Sequence, residues 1–302
     1  MTRRGRVFPI PHPFLKWVGG KGQLLPDLLR AVEAAGPFGR YHEPFVGGGA
    51  LFFALARLER LPRKKAFLSD SNERLIDAYR GVQTNVDRVV ELLRYHSRRH
   101  REDYYYEMRA QAPDTVEERA ARIIYLNKTC FNGLFRENSK GEFNVPFGRY
   151  KNPAICDEAN LHAAAKALEK AAIEARPFET VLEKAEPDDL VYFDPPYDPV
   201  SRTASFTAYA RGGFGVKEQE RLAEVFSALT EKGVKVILSN SKTPLIETLY
   251  GNRGNVQEVY ATRNVNSRGD LRGKVSEVLV CNFGPEGPIR MPSASGRSQS
   301  SR

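Results

Sequence analysis

Leu190-Val191-Tyr192-Phe193-Asp194-Pro195-Pro196-Tyr197 is the stretch on which the fold turns. Four apolar residues run into an acid, two prolines and a tyrosine. An unbroken apolar run of this length is the pattern of a strand buried on both faces, as in a parallel sheet. The prolines cannot donate ladder hydrogen bonds and they fix φ, so the strand ends there. Asp194 and Tyr197 are thereby held on a short, stiff segment at the carboxyl end of a strand. In open α/β sheets that edge is where ligands bind. Taken alone, the same four residues also describe a strand ended by a proline turn with an acid capping the next helix, so the rest of the chain has to decide.

Upstream, Pro13-Phe14-Leu15-Lys16-Trp17-Val18-Gly19-Gly20-Lys21 leads through a glycine pair into a helical pattern from Gln23 to Ala35, with leucines at 24, 25, 28 and 29. Glycines let a backbone approach a ligand closely, and Lys21 stands where a carboxylate or phosphate could be held near the helix start. Tyr41-His42-Glu43-Pro44-Phe45-Val46-Gly47-Gly48-Gly49 follows, a short strand entering a triple-glycine turn, with a helix over Leu51 to Leu61. Strand, glycine turn and helix is how α/β proteins hold a nucleoside-bearing cofactor. The spacing matches neither the dinucleotide fingerprint nor the phosphate loop, so no diphosphate is implied. The next strand, Lys65 to Asp70, ends in an acid, the usual acceptor for ribose hydroxyls one strand after such a turn. Asp70 or Asn72 would otherwise cap the helix expected from Glu73 to Tyr79.

From Leu75 to Ala165 the alternation of strands and helices breaks. Helical patterns over Arg80–Arg94, Tyr104–Ala110 and Glu117–Leu126 precede a hairpin or long loop. That loop holds Asn127 to Arg136 and Gly141 to Lys151. Arg94, Arg98, Arg99, His100 and Arg101 cluster, and Lys128, Arg136, Lys140, Arg149 and Lys151 follow among aromatics and glycines, a pattern suited to tracking a phosphate backbone. Asn and Arg are the side chains that pair bidentately with adenine and guanine edges. The expected organisation is a domain over 75–165 inserted into a sheet domain formed by 1–74 and 166–284.

After it, a weak strand is expected at Ala172–Ala175, a helix over Glu218–Lys232, a buried strand over Val234–Asn240, a helix over Thr243–Tyr250, and a strand pair at Val256–Tyr260 and Val275–Asn282. Arg263 to Lys274 reads as a mobile basic loop. Residues 285–302, rich in Gly, Ser, Pro and Arg, read as a disordered tail.

Bulk properties agree. The 302 residues carry a net charge of +9 and suit an acidic polymer as partner. No apolar run approaches the roughly 20 residues of a membrane span. Residues 1–13 lack the apolar core of a signal peptide. Cys130, Cys156 and Cys281 are scattered, with no metal-type or paired spacing, which fits a reducing cytoplasm.

Four features together, Phe14 to Lys21, Glu43 to Gly49, Ser69-Asp70 and Asp194 to Tyr197, resemble the Dam family of DNA adenine-N6 methyltransferases, the D12 class, alpha group. Phe131-Asn132-Gly133-Leu134-Phe135-Arg136 with Gly141 to Lys151 looks like that family's target-recognition hairpin. Ser205-Phe206-Thr207-Ala208-Tyr209 and Leu238-Ser239-Asn240 also look like family segments. The resemblance covers Pro13 to Phe283. It implies a Rossmann-like, S-adenosylmethionine-dependent methyltransferase sheet of α/β class with an inserted, mostly helical DNA target-recognition domain containing a β-hairpin. It implies Trp17, Lys21, Gly47, Asp70 and Asp194 as the cofactor's contacts and no metal. It implies Asp194, Pro195 and Tyr197 at the chemistry. In double-stranded DNA, residues matching Lys16, Asn132 and Arg136 touch base pairs, and those matching Phe131, Leu134 and Pro146 occupy or flank the opened site. Phe131 stands where family members have a tyrosine, which keeps the aromatic wedge and removes a hydroxyl. Members with such a hairpin commonly methylate GATC, and related enzymes read sites such as GATATC. Amino groups of RNA, protein glutamine and cytosine are acceptors of related enzymes with the same four-residue signature. A cytoplasmic, nucleoid-associated enzyme acting as a monomer is the expectation.

Overall fold

The computed structural model describes residues 10–17, 21–61, 66–138, 141–199, 214–262, 274–284 and 287–288. Seven strands form one sheet: β1 (Tyr41–Glu43), β2 (Ala66–Asp70), β3 (Ala171–Ala175), β4 (Leu190–Phe193), β5 (Lys235–Ser241), β6 (Asn255–Thr262) and β7 (Lys274–Cys281). Their spatial order is β3-β2-β1-β4-β5-β7-β6. The first five in that order are parallel, and β7 runs antiparallel to both neighbours. The chain winds outward from β1 to β3, then restarts at β4 and winds the other way. Between β1 and β4 the connections diverge, and a crevice opens at the carboxyl ends of those two strands.

Side chains alternate across a strand, and two apolar clusters show which face each takes. Leu190, Tyr192, Ile237, Leu279 and Cys281 join one cluster. Val191, Phe193, Val236, Leu238, Val278 and Val280 join the other. The second face is covered by the helices Val216–Glu231 and Pro244–Tyr250. The first face carries α1 (Leu25–Ala35), α2 (Ala50–Arg57) and the helices between β2 and β3: α3 (Glu73–Thr84), α4 (Val86–Arg99), α5 (Glu102–Ala110), α6 (Val116–Thr129) and α7 (Glu158–Leu168).

Three differences from the sequence reading have local causes. The helical pattern over Arg80–Arg94 is two helices, because Asn85 leaves helical geometry at φ −151° and its side chain caps α4 by accepting from Arg88 N. Helix α7 was not anticipated. Its small, alanine-rich face gives a weak apolar stripe, and the signal is the cap, Asp157 accepting from Asn160 N. Of the expected tail, Gly287–Pro288 pair antiparallel with Phe283–Gly284. The expected boundaries at 74/75 and 165/166 fall inside α3 and α7. One apolar cluster runs unbroken from the strands into α3–α7, and α3 meets α6 so closely that a Cβ on Gly81 would lie 2.4 Å from that of Ala120.

After α6 the chain doubles back. Cys130 bridges Phe147 and Glu137 bridges Phe143, both antiparallel. Phe131 N donates to Pro146 O at 2.9 Å and Asn144 N to Arg136 O at 3.0 Å. Val18-Gly19-Gly20, Ser205 to Tyr209, residues 263–273 of the basic loop and the tail beyond Pro288 lie outside the described residues. Among the described residues no helix is long and apolar enough to cross a membrane.

Candidate active site

Period-two alternation assembles the site. Tyr41 and Leu190 are register partners on one face, so Glu43, Tyr192 and Asp194 follow on that face. Ser239 and Ser241 lie there with Ile237, and Glu277, the register partner of Ser241, lies there too. Three parallel strands thus deliver side chains from their carboxyl ends to one crevice, and antiparallel β7 delivers Glu277 from near its amino end.

Asp194 is the centre. Lys21 Nζ lies 2.7 Å from its Oδ1, with the two side chains 7% and 21% exposed. Ser239 Oγ donates to the same oxygen at 3.0 Å, and Ser239 Oγ lies 3.0 Å from the Tyr192 hydroxyl. Burial raises the Asp194 pKa, while the Lys21 ammonium and the Ser239 hydroxyl pull against it. The two prolines carry the chain out of β4. Pro195 is buried, and Gln219 Nε2 takes the Pro196 carbonyl at 3.0 Å. Tyr197 is then held twice. Its hydroxyl donates to Glu277 Oε2 at 3.0 Å, and Lys21 Nζ sits 4.5 Å from its ring centroid.

The glycine turn forms the opposite wall. Gly47 and Gly49 take φ of 45° and 66°, which favours glycine. A Cβ on Gly47 would lie 2.8 Å from Trp17 Cδ1, and one on Gly49 2.7 Å from the Tyr79 hydroxyl. The missing side chain at Gly47 therefore lets the Trp17 indole close over the turn. Asp70 accepts from Gly47 N at 3.3 Å and from Asn72 N at 3.0 Å, and burial raises its pKa. Asn72, not Asp70, caps α3 by accepting from Leu75 N. A half-buried acid beside a glycine turn under an indole fits a nucleoside-bearing ligand. Among the described residues no group of three or more His, Cys, Asp or Glu is placed to hold a metal.

The other expected contacts gather around the doubled-back segment. Lys16 is exposed. Its backbone N donates to Asn127 Oδ1 at 2.7 Å, and Asn127 Nδ2 donates to Lys16 O at 2.7 Å and to Gly133 O at 3.2 Å. Phe131 is half exposed, Asn132 sits exposed in the left-handed region at φ 57°, Leu134 is half-buried and Pro146 is exposed. Arg136 spends two donors on Asn144, Nε to Oδ1 at 2.7 Å and Nη2 to its carbonyl at 3.2 Å. Three of its five N–H groups remain for other partners. The Trp17 and Phe135 rings, 5.2 Å apart, join this cluster to the crevice.

Glu43, Ser239 and Glu277 were not singled out in the sequence. Glu43 ends β1 fully buried and accepts from the Tyr41 hydroxyl at 2.8 Å. Burial, with the Asp194 charge added, pushes it up to about 8. Its signal was an acid before Pro44 at a strand end. Ser239 lay in the family-like Leu238-Ser239-Asn240 segment, which gave it no role, and Glu277 gave no signal, since its place depends on register. Ser241 Oγ is fully buried beside them and has no hydrogen-bond partner among the described residues.

A family model described as D12 class N6 adenine-specific DNA methyltransferase matches residues 17–265. A type II methyltransferase of Lactococcus lactis subsp. cremoris is 42% identical over 281 residues, 90% of this chain and 96% of that protein. A DNA adenine methylase of Escherichia coli (strain K12) is 36% identical over 272 residues, 88% of this chain and 94% of that one. A DNA N-6-adenine-methyltransferase of Escherichia phage P1 is 35% identical over 286 residues, 92% of this chain but 37% of the phage protein.

Proposed function

This chain belongs to the D12 class of N6 adenine-specific DNA methyltransferases, and on that footing we propose that it methylates N6 of an adenine swung out of double-stranded DNA, within GATC. The observation that carries this is the Asp194 carboxylate at the β1/β4 crevice, bonded by Lys21 and Ser239 and walled by Tyr197. The family implies S-adenosylmethionine, which supplies an electrophilic methyl group on a sulfonium. Trp17, Lys21, Gly47, Asp70 and Asp194 are the residues to hold it, with Asp70 on the ribose.

Adenine N6 is a poor nucleophile because its lone pair is conjugated with the ring. The Asp194 carboxylate and the Pro195 carbonyl would accept its two hydrogens and favour a pyramidal nitrogen. Burial raises the pKa of that carboxylate, and Lys21 and Ser239 oppose the rise. Positioning and fixed charges then supply the rate. An adenine inside a duplex is out of reach, so it must leave the stack, and Tyr197 is the ring to receive it. Lys16, Asn132 and Arg136 are assigned to base pairs, and Phe131, Leu134 and Pro146 to the opened site. In this reading 75–165 recognises DNA and 1–74 with 166–284 performs the chemistry.

The test is plasmid from a methylation-deficient host, incubated with the protein and S-adenosylmethionine. It is then cut with one nuclease blocked by N6-methyladenine in GATC and one dependent on it. Protection from the first and cutting by the second are expected. Methyladenine at another sequence, such as GATATC, would defeat the GATC assignment. Methylation of RNA or protein in place of DNA would defeat the substrate assignment.

A further inference from the structure

The crevice holds a carboxylate with no part in the reaction sketched above. Glu277 lies on β7, is 7% exposed, and belongs to the strand that runs against the others. Its Oε2 accepts the Tyr197 hydroxyl at 3.0 Å. The proton on that bond is the tyrosine's, because burial and the charges of Asp194 and Glu277 raise the Tyr197 pKa. A tyrosine following two prolines has a stiff backbone, but its ring can still turn about χ1 and χ2. Lys21 touches the ring face only through the soft attraction of a cation for a π system. The directional contacts lie at the ring's far end, where the hydroxyl donates to Glu277 and is also in hydrogen-bond reach of Ser239.

We propose that Glu277 is a positioning residue. By anchoring the Tyr197 hydroxyl to β7 it fixes the plane of the ring against which the target adenine stacks, beside the Asp194 carboxylate. The inference rests on Tyr197 as the base's stacking partner. It adds a residue that sequence motifs did not mark, on a strand remote from the four-residue signature.

The test uses duplex DNA carrying 2-aminopurine at the target adenine, whose fluorescence reports the base leaving the stack, together with methyl-transfer rates on unmodified DNA. Glu277→Ala should lower kcat/KM for DNA about tenfold, the scale of one hydrogen bond to a charged acceptor, and change the 2-aminopurine signal. The Kd for S-adenosylmethionine should stay within about twofold. Glu277→Gln keeps an acceptor and should recover most of the loss. Adding Glu277→Ala to Tyr197→Phe, which already lacks the hydroxyl, should cost nothing more. Equal losses from Glu277→Ala in both backgrounds would show that the residue merely packs β7 and would overturn the inference. So would unchanged kinetics and fluorescence in Glu277→Ala. If the unsubstituted protein methylates no DNA, the proposed function falls and this inference with it.

Discussion

Asp194 and Glu43 are carboxyl groups at neighbouring strand ends, and their partners give them different states. Asp194 has an ammonium at 2.7 Å, whereas Glu43 has neutral donors, the Tyr41 phenol and the Phe52 backbone. Asp194→Ala should abolish methyl transfer while leaving DNA binding within a few-fold, by single-turnover kinetics and a gel-shift titration; retained transfer would remove Asp194 from the chemistry. Glu43 makes a pH prediction. Its folded pKa is about 8, against a reference of 4.5. Between those values the folded state keeps a proton that the unfolded state has lost. Stability should therefore fall as pH rises through the window, by up to about 1.4 kcal/mol per pH unit from this group. Glu43→Gln keeps an acceptor for the Tyr41 hydroxyl and removes the titration. Its urea-unfolding free energy should be flatter from pH 5 to 8 and higher than the parent's at pH 8; parallel curves would show that Glu43 is ionised in the fold.

At the scale of elements, helix contacts and helix ends decide. Ala is favoured over Gly in a helix by about 1 kcal/mol, yet Gly81→Ala would drive a methyl to 2.4 Å from the Ala120 Cβ. Overpacking should win, with a net loss of about 1–2 kcal/mol in chemical denaturation, and Ala120→Gly should relieve it. The end of α4 gives a second prediction. His100 packs 5.5 Å from the Phe147 ring at the root of the doubled-back segment, and Arg98 and Arg101 beside it are exposed. Replacing both by Gln should lower the slope of log K against log salt by roughly 2, about 0.9 per lost phosphate contact, with the methylated sequence unchanged. An unaltered slope would place the duplex elsewhere. The elements themselves were largely legible. β4 was read from an apolar run that two prolines stop, and α6 from its periodicity. What the sequence concealed was division and weakness: Asn85 both ends α3 and starts α4, and the buried face of α7 has only Leu161 and Leu168 as long apolar side chains, with alanines between them.

At the scale of the molecule, the sheet order follows from strands alternating with helices, interrupted once, and Asp70 and Asp194 were readable because strand ends carry ligands. Ser239 and Glu277 were not, because one residue of slip would send either to the other face, and register is a property of pairing partners far apart in the chain. A protein whose site lies across the junction of two half-sheets should unfold later when that junction is bridged. S-adenosylmethionine at a hundred times its Kd should add about 2.7 kcal/mol, read as a rise in Tm that grows with concentration; an unmoved Tm would show that the folded protein does not bind it. One more consequence lies in the short link from Lys16, clamped by Asn127 beside Gly133, to Lys21, bonded to Asp194. Five residue steps stretch to about 18 Å at most, and stacked bases rise about 3.4 Å each. That length is a ceiling of about five base-pair steps between the two lysine backbones, so the word read from Lys16 to the adenine being altered is short.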